Sequence, residues 1–320
     1  MRNHFSLVSP VTGAAALLLV SMPLYTAAAF RAESPEPTPP SRAATGKALT
    51  NPPRRTPVPE PGRALRAARA RLEQTGRGPA AEVDRWAIGL ATEPETSRAA
   101  LARFGTYRPL IEDALRRHGL PLDLAFVPWV ESEWRSGATS RAGAAGVWQL
   151  MAPTARGYGL EVSEYVDERR DPVRATEAAV RHLADLHRST GDWHWTLAAY
   201  NAGLGRARAG RASFWRERRR LPRETRAYVP RVLAAARVGR EPGAWGIQAP
   251  PAAPLRFREV WTPGDTPLDH VAARIGAPPA RLRELNPHLV RGRTPPGRAW
   301  RVRIPAGPLP GPAAVSGGRR

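Results

Sequence analysis

The segment at residues 130–150 reads VESEWRSGATSRAGAAGVWQL, and it decides how the rest of the chain is interpreted. Glu131 ends the apolar run PLDLAFVPWV, which predicts a central helix with Asp123 as its N-cap and a bend at Pro128. A carboxyl group among so many apolar side chains loses hydration, so its pKa rises and it can serve as a general acid. The alternative is a glutamate that ends a helix and points into water. Glu133 is the competing acid, but at i+2 it faces elsewhere on a helix.

The residues after Glu131 are mostly small. Gly137, Gly143 and Gly146, with the alanines between them, predict a backbone that a ligand can approach closely. Ser140 and Gln149 offer polar groups for amides or hydroxyls, and we expect Trp148 to line the same surface as Gln149. A partly apolar wall with a few polar anchors is typical of a site for a sugar polymer.

Composition narrows the class of protein. The 320 residues contain no cysteine, which excludes disulfides, thiolate metal sites, cysteine nucleophiles and a lipid attached at cysteine. The net charge is +21, carried by arginine except for Lys47. This charge indicates either a protein that meets anionic polymers or a general bias towards arginine, and no nucleic-acid-binding module accompanies it.

The N-terminal segment indicates export. Arg2 and His4 precede the apolar stretch VTGAAALLLVSMPLYTAAAF, in which Ala27 and Ala29 fit an A-x-A cleavage site. We predict a signal peptide at residues 1–29 and a periplasmic protein without a lipoprotein cysteine. An uncleaved segment that tethers the chain to the membrane is the alternative.

The remaining chain divides by composition. Residues 30–62 are rich in proline and predict a linker, and residues 63–245 show helical periodicity. A second proline-rich linker, 246–256, precedes a β-α-α-β unit at 257–306, and 307–320 predict a disordered tail. The predicted fold class is therefore mainly α, followed by a small mixed unit.

Five motifs occur in order: VPWVESEW, ATSRAGAAGVWQLMAPTARGYGL, DERRDP, AAYNAGLGR and ETRAYVPRVL. Together they resemble the family 1 lytic transglycosylases of the membrane-bound D type, whose catalytic (SLT) domain is similar to goose lysozyme. The resemblance is strong over residues 105–240 and faint over 63–104, and it implies a catalytic domain at 63–245 that includes the N-terminal helices. The C-terminal unit, through PGDTPLDHVAARIG, LRELNP and RIPAG, resembles a degenerate LysM module, which implies binding to N-acetylglucosamine chains or mere packing on the catalytic domain.

The resemblance implies roles for individual residues. Glu131 matches the single catalytic acid, and Tyr228 matches a tyrosine that reaches towards it. The other residues match positions that line the glycan cleft or help to hold the substrate: Ser140, Gln149, Met151, Tyr200, Asn201 and Glu224. Structural roles are the alternatives, such as a core position for Tyr200, packing for Met151 or a helix C-cap at 201–203.

The resemblance also implies a reaction. Glu131 would cleave the β-1,4 bond between N-acetylmuramic acid and N-acetylglucosamine without water, first as acid and then as base, to leave 1,6-anhydro ends. Asp167, Asp171 and Asp192 are the other acids at hand, and Asp171 before Pro172 predicts a helix start. A hydrolytic muramidase, which needs a second carboxylate, and a non-catalytic peptidoglycan-binding protein are the alternatives.

The expected partner is the glycan strand of peptidoglycan, not nucleic acid. No cofactor and no metal are expected, because His182 and His187 do not align on one helix face and no His-Glu-x-x-His motif occurs.

Overall fold

The computed structural model describes residues 60–207 and 212–307. The predicted signal peptide, most of the first linker and nearly all of the predicted tail lie outside the described residues. The helices are α1 Arg63–Thr75, α2 Pro79–Thr92, α3 Pro94–Arg117, α4 Val127–Ser132, α5 Ala152–Gly157, α6 Pro172–Thr190, α7 Trp193–Ala202, α8 Phe214–Glu217, α9 Arg223–Arg240, α10 Leu268–Ile275 and α11 Pro279–Leu285. Two strands, β1 Phe257–Thr262 and β2 Trp300–Pro305, lie in the C-terminal part. The predicted mainly α fold class is confirmed.

Helix starts follow their sequence signals closely. The carboxylate of Asp171 accepts hydrogen bonds from the amides of Val173 and Arg174, and Pro172 occupies the first turn of α6. Asp192 caps α7 through the amide of Trp195 at 2.9 Å. These caps set where α6 and α7 begin, and α7 delivers the AAYNAG motif to the interior.

The helical part packs around α9. This helix lies against α2, α4 and α7, and its buried side chains include Tyr228, Val229 and Val232. A cluster of aromatic rings closes the core beside α4: the rings of Phe104 and Trp134 are 4.8 Å apart. Each such aromatic pair contributes about 1 kcal/mol beyond its buried area, so this cluster firmly anchors the chain that follows α4.

The run before Glu131 differs from its predicted form. Leu122–Phe126 form a 3-10 helix, and α4 begins only at Val127. Pro128 therefore lies in the first turn, where its missing N–H costs nothing, and it causes no bend. Asp123 caps no helix and instead forms an ion pair with Arg240 at 3.2 Å. Both sequence predictions are wrong because the run divides into two short helices.

Helix α3 is longer than its sequence pattern indicates. Apolar spacing predicts a helix from about residue 107 to the break at Gly119, yet α3 begins at Pro94 and continues through Pro109. The earlier turns pack Ala100, Leu101 and Phe104 into the core. Tertiary burial thus extends the helix past a proline that would end an isolated one.

The C-terminal unit has the predicted β-α-α-β order. Strands β1 and β2 pair antiparallel, with Val260 opposite Val302, and α10 and α11 lie between them in sequence. Its buried cluster also contains Val166 from the helical part. The amide of Asp167 donates to the carbonyl of His288 at 2.8 Å, so backbone hydrogen bonding joins the unit to the chain before α6.

Two further contacts fix this junction. The guanidinium of Arg303, on β2, forms a buried ion pair with the Asp171 cap at 2.7 Å. At the edge of the junction, Arg298 pairs with Glu161 at 2.5 Å. Along the described ranges, no helix is long and apolar enough to cross a membrane.

Candidate active site

Glu131 lies on the last turn of α4, at a sharp change of chain direction. Two and three residues later, Glu133 and Trp134 both adopt left-handed backbone conformations, with φ of 52° and 57°. Such conformations are costly for residues other than glycine and persist where surrounding contacts impose them. The fully buried ring of Trp134 supplies those contacts, and the turn fixes Glu131 at the helix end.

Glu131 is partly buried, and among the residues that the structure describes its carboxyl group has one hydrogen-bond partner. The hydroxyl of Tyr228 donates to its Oε1 at 2.6 Å. Burial raises the pKa of Glu131 from 4.5 to about 7, and the negative charge of Glu224 acts in the same direction. The Tyr228 hydrogen bond and the positive charge of Arg231 oppose that rise. Near neutral pH the group is therefore divided between acid and carboxylate, as a residue that both gives and takes a proton requires.

Two tyrosines surround this acid. Burial raises the pKa of Tyr228 and of Tyr200 well above the ordinary value, and the charge on Glu131 adds to both shifts. Both phenols therefore stay protonated and act as donors. Tyr200 donates to the backbone carbonyl of Trp148 at 2.8 Å, which ties α7 to the segment that follows the acid.

The other acids suggested by the sequence have structural partners. Asp167 binds Arg169 at 2.8 Å, and Asp171 and Asp192 cap helices. Glu133, the competing acid, pairs with Arg103 at 3.0 Å and also with Arg135. Glu224 differs, because it is exposed on the first turn of α9, four residues before Tyr228.

The loop after α4 is stabilised mainly by its own hydrogen bonds. The hydroxyl of Ser140 is exposed and accepts from the amide of Ala144 at 3.0 Å. The side-chain amide nitrogen of Gln149 donates to the backbone carbonyl of Gly146 at 2.8 Å. Gln149 itself has a left-handed backbone conformation, with φ of 49°. Ser140 thus remains accessible at the surface, while Gln149 is only partly exposed.

Two expectations for this loop are wrong. A Cβ placed on Gly146 would lie 1.7 Å from the carbonyl oxygen of Arg169. The missing side chain therefore lets the backbone of Arg169 pack closely here, and the space is not open to a ligand. Trp148 is fully buried and donates to the hydroxyl of Thr176 at 2.9 Å, so it lies in the core and cannot line a cleft. By contrast, Gly137 has open space around it.

Asn201 and Met151 lie near the centre in different ways. The side-chain oxygen of Asn201 accepts from the hydroxyl of Thr225 at 2.8 Å, so it links α7 to the start of α9. Met151 precedes α5 and is 42% exposed, an unusual position for a large apolar side chain. Within the described ranges, no hydrogen bond or ion pair joins Ser140, Met151 or Asn201 to Glu131.

Sequence reasoning missed two residues beside the acid. Arg231 lies one turn after Tyr228 on α9 and acts electrostatically on Glu131. Trp86, on α2, is 42% exposed, and the guanidinium of Arg231 lies 5.2 Å from the centre of its ring. No sequence signal distinguished Trp86, which is one of ten tryptophans and whose exposure is visible only in the structure. Arg231 was equally hard to select, because arginine is abundant throughout the chain.

The described residues contain no group of three or more histidine, aspartate or glutamate side chains arranged to hold a metal ion. The nitrogen Nδ1 of His182 lies 3.2 Å from the hydroxyl of Tyr158, and Nδ1 of His187 lies 3.1 Å from the hydroxyl of Thr196. Both imidazoles therefore have protein partners.

Comparison with known proteins identifies the domain that carries this arrangement. Residues 109–221 match the transglycosylase SLT domain family. The chain is 34% identical over 191 residues to membrane-bound lytic murein transglycosylase D of Escherichia coli K12, covering 56% of this chain and 42% of that protein. It is 36% identical over 106 residues to a putative tributyltin chloride resistance protein of an Alteromonas species, covering 33% and 51%.

Among solved structures, the 70 kDa soluble lytic transglycosylase of Escherichia coli is 22% identical, with 58% of this chain and 37% of that chain covered and a TM-score of 0.37. The chain spans about half the length of the curated relatives it matches.

The segment that matches the transglycosylase SLT domain family thus contains Glu131, Tyr200 and the loop between them, and it is mainly α. Tyr228 and Arg231 lie beyond the matched residues, on α9.

Proposed function

We propose that this protein is a lytic transglycosylase that cleaves the glycan strands of peptidoglycan, with Glu131 as its only acid and base. The observation that carries the proposal is a partly buried glutamate with a pKa of about 7, hydrogen-bonded by a tyrosine, within an SLT domain. The family of the domain supports peptidoglycan as substrate, as does the name of the Escherichia coli relative, a lytic murein transglycosylase.

In the first step, protonated Glu131 donates to the oxygen of the β-1,4 bond between N-acetylmuramic acid and N-acetylglucosamine. The bond from the muramic C1 to this oxygen breaks, and the N-acetylglucosamine side leaves as an alcohol. Positive charge develops on the muramic ring, while Glu131 becomes a carboxylate. The hydrogen bond from Tyr228 stabilises that carboxylate as it forms, and the low polarity around the site increases the strength of this bond.

In the second step, the carboxylate of Glu131 takes the proton from the muramic 6-hydroxyl, and that oxygen bonds to C1. The product has a 1,6-anhydro ring, and Glu131 returns to its protonated form. This scheme needs one carboxylate, where ordinary glycosidases use two. It is supported by the engagement of Asp167, Asp171, Asp192 and Glu133 in caps and ion pairs.

The other predicted residues have supporting roles in this proposal. Tyr200 donates a hydrogen bond to the carbonyl of Trp148, and Asn201 links α7 to α9 through Thr225. Both residues therefore position the segments around Glu131. Ser140 and Met151 are exposed and would contact the glycan directly. Gln149 uses its amide nitrogen within the loop, which leaves its carbonyl oxygen for a sugar hydroxyl.

The remaining sequence predictions complete the proposal. Peptidoglycan as substrate places the protein in the cell envelope, and an exported periplasmic chain is consistent with this. The C-terminal β-α-α-β unit would act as a LysM-type module for N-acetylglucosamine chains. Its exposed Trp261, with 67% of the residue accessible, supports a carbohydrate-facing role.

Purified sacculi digested with the protein, followed by mass spectrometry of the soluble fragments, test the function. Fragments with 1,6-anhydro ends are expected from the wild type and are expected to be absent with Glu131→Gln. Binding to sacculi without any release would show a scaffold, and release by the Gln variant would remove the central role of Glu131.

Hydrolysis is the second candidate, favoured by the exposed Glu224 close enough to affect the pKa of Glu131. If Glu224 positions a water molecule, the products will have reducing ends, and Glu224→Gln will abolish their formation. If the products are anhydro sugars in both proteins, Glu224 has no such role.

A further inference from the structure

A cavity of about 230 Å³ lies beside the chain segment that carries the acid. Its walls come from α2, α3, α4 and α9, and they include Trp86, Trp129, Val130, Glu133, Arg231 and Ala235. Val130 and Glu133 flank Glu131 in sequence. The cavity therefore opens next to the candidate site, between helices that lie before, within and after the SLT match.

Helix α9 connects the cavity to the acid. Glu224, Tyr228, Arg231 and Ala235 are spaced four, three and four residues apart, so they lie along one face of this helix. Tyr228 binds Glu131, while Arg231 and Ala235 line the cavity. The positive charge of Arg231 also lowers the pKa of Glu131, as expected for a guanidinium one turn along the helix from Tyr228.

Arg231 differs from the other arginines around it. Arg71 and Arg237 both pair with the buried carboxylate of Asp84, and Arg103 pairs with Glu133. Arg231 is partly buried, yet across residues 60–207 and 212–307 it has no ion pair and no hydrogen bond. Its one direct partner there is the ring of Trp86. The cavity also contains Glu93 and Glu133, and Glu133 is already paired with Arg103. A guanidinium that is oriented by an aromatic ring and has no carboxylate bonded to it is suited to bind an anion.

Trp86 supplies the apolar part of this arrangement. It is 42% exposed although the adjacent Ala87 is fully buried, so the ring stands at the mouth of the cavity. An indole presents a broad, rigid apolar face to a ligand, and the cavity offers Val130 and Trp129 behind it. A saccharide ring, with one face of C–H groups, has the matching shape and polarity.

We propose that this cavity is a subsite for a carboxylate-bearing saccharide, with the sugar ring against Trp86 and the carboxylate on Arg231. The subsite rests on the proposed function for its place beside the cleaved bond, and it adds recognition of negative charge on the substrate. In peptidoglycan that carboxylate has two sources: the lactyl ether of the muramic ring itself, or acidic residues of the peptide attached to it.

Binding measurements on the full chain carrying Glu131→Gln separate binding from turnover. Three probes are titrated by calorimetry: neutral chitooligosaccharides, glycan strands stripped of peptide so that the lactyl carboxylate is free, and strands that retain their peptides. We expect one or both carboxylate-bearing probes to bind more tightly than the neutral one. The probe that shows the preference identifies the source of the carboxylate.

Substitutions assign the preference to the cavity. Arg231→Gln is expected to reduce it by about tenfold, the contribution of one charge-assisted hydrogen bond. Trp86→Ala is expected to weaken all three probes, and Trp86→Phe to restore most of that loss. Arg69→Gln removes an equal charge from an exposed position on α1 and is expected to leave binding unchanged. Thermal melts verify that each variant is folded.

The subsite is overturned if folded Arg231→Gln keeps the full preference, or if the Glu131→Gln protein binds all three probes equally. Anhydro fragments released by the wild type in the sacculus assay would leave the proposed function intact in either case. If the wild type releases no fragments and no probe binds, the proposed function and the subsite both fail.

Discussion

The hydroxyl of Tyr228 lies 2.6 Å from Oε1 of Glu131, across a sequence separation of 97 residues. This pair joins the last turn of α4 to the centre of α9. The tyrosine stabilises the carboxylate, while burial favours the protonated acid, and the balance places the pKa at about 7. Helix α9 therefore contributes to the site as well as to the core, because its residue Tyr228 lowers the pKa of the group that we propose for catalysis.

Glu131→Gln is expected to reduce the release of soluble fragments from sacculi by at least about 10²-fold, since the amide can neither donate nor accept the required proton. Glu73→Gln is the matched control, because Glu73 is exposed on α1 and the change is chemically the same. Equal loss in both variants would indicate a general effect on the fold, and full activity of Glu131→Gln would exclude Glu131 as the acid.

The activity of the wild type is expected to fall as the pH rises through about 7, where Glu131 loses the proton that starts the reaction. In Tyr228→Phe the carboxylate loses its hydrogen bond, so the pKa of Glu131 rises and this falling limb moves to higher pH. Initial rates measured from pH 5 to 9 give both curves. A limb that stays in place would show that another group controls it.

Stability should reveal the same group without any substrate. Glu131 ionises near 4.5 when unfolded and near 7 when folded, so between these values the native state binds more protons. The free energy of unfolding of the wild type therefore falls as the pH rises through this window. Glu131→Gln lacks this loss, so its melting temperature relative to the wild type should increase from pH 4.5 to pH 7.5. A constant difference would contradict the raised pKa.

Gly146→Ala is expected to destabilise the fold by roughly 2–5 kcal/mol, because φ is 80° and the new Cβ would overlap the carbonyl of Arg169. Gly137→Ala, in the same loop, has open space and should change the free energy of unfolding little. Denaturation in urea measures both variants. Similar values would mean that the loop adapts easily, and that Gly146 has no special structural role.

Asp171→Asn separates two roles of one side chain. Asparagine still caps a helix, but it removes the charge that faces the buried guanidinium of Arg303, so about 3–5 kcal/mol of stability should be lost. Asp192→Asn changes a cap whose side chain is 46% exposed and faces the part-exposed His194 at 3.6 Å instead of a buried guanidinium, so it should be nearly neutral. Equal effects in urea denaturation would mean that the ion pair contributes nothing.

Local sequence patterns were sufficient to predict much of the fold. Asp171 before Pro172 marked the start of α6, and the β-α-α-β unit at 257–306 was predicted with both of its strands, because caps and short strands depend on neighbouring residues. The predictions failed where tertiary packing decides. Pro128 follows a 3-10 helix that no periodicity reveals, and Trp148 is buried by its contact with Thr176 on α6.

The candidate site shows the same division. Glu131 could be selected from its apolar surroundings and from the family motifs, and Tyr228 from the motif ETRAY. The cavity at Trp86 and Arg231 could not, since it arises where α2 packs on α9 and neither residue stands out in an arginine-rich chain. Gly146 was expected to leave room for a ligand. A glycine in a sequence does not reveal whether the group that packs against it is a substrate or another part of the same chain.

Removal of the C-terminal β-α-α-β unit would break the ion pair between Asp171 and Arg303. A chain cut before residue 257 would keep every residue that we assign to catalysis. It would nonetheless leave the carboxylate of Asp171 without its counter-charge and uncover Val166, which is fully buried in the intact protein. Poor activity in such a fragment would reflect damage at the start of α6, and it would say nothing about whether the removed unit holds glycan.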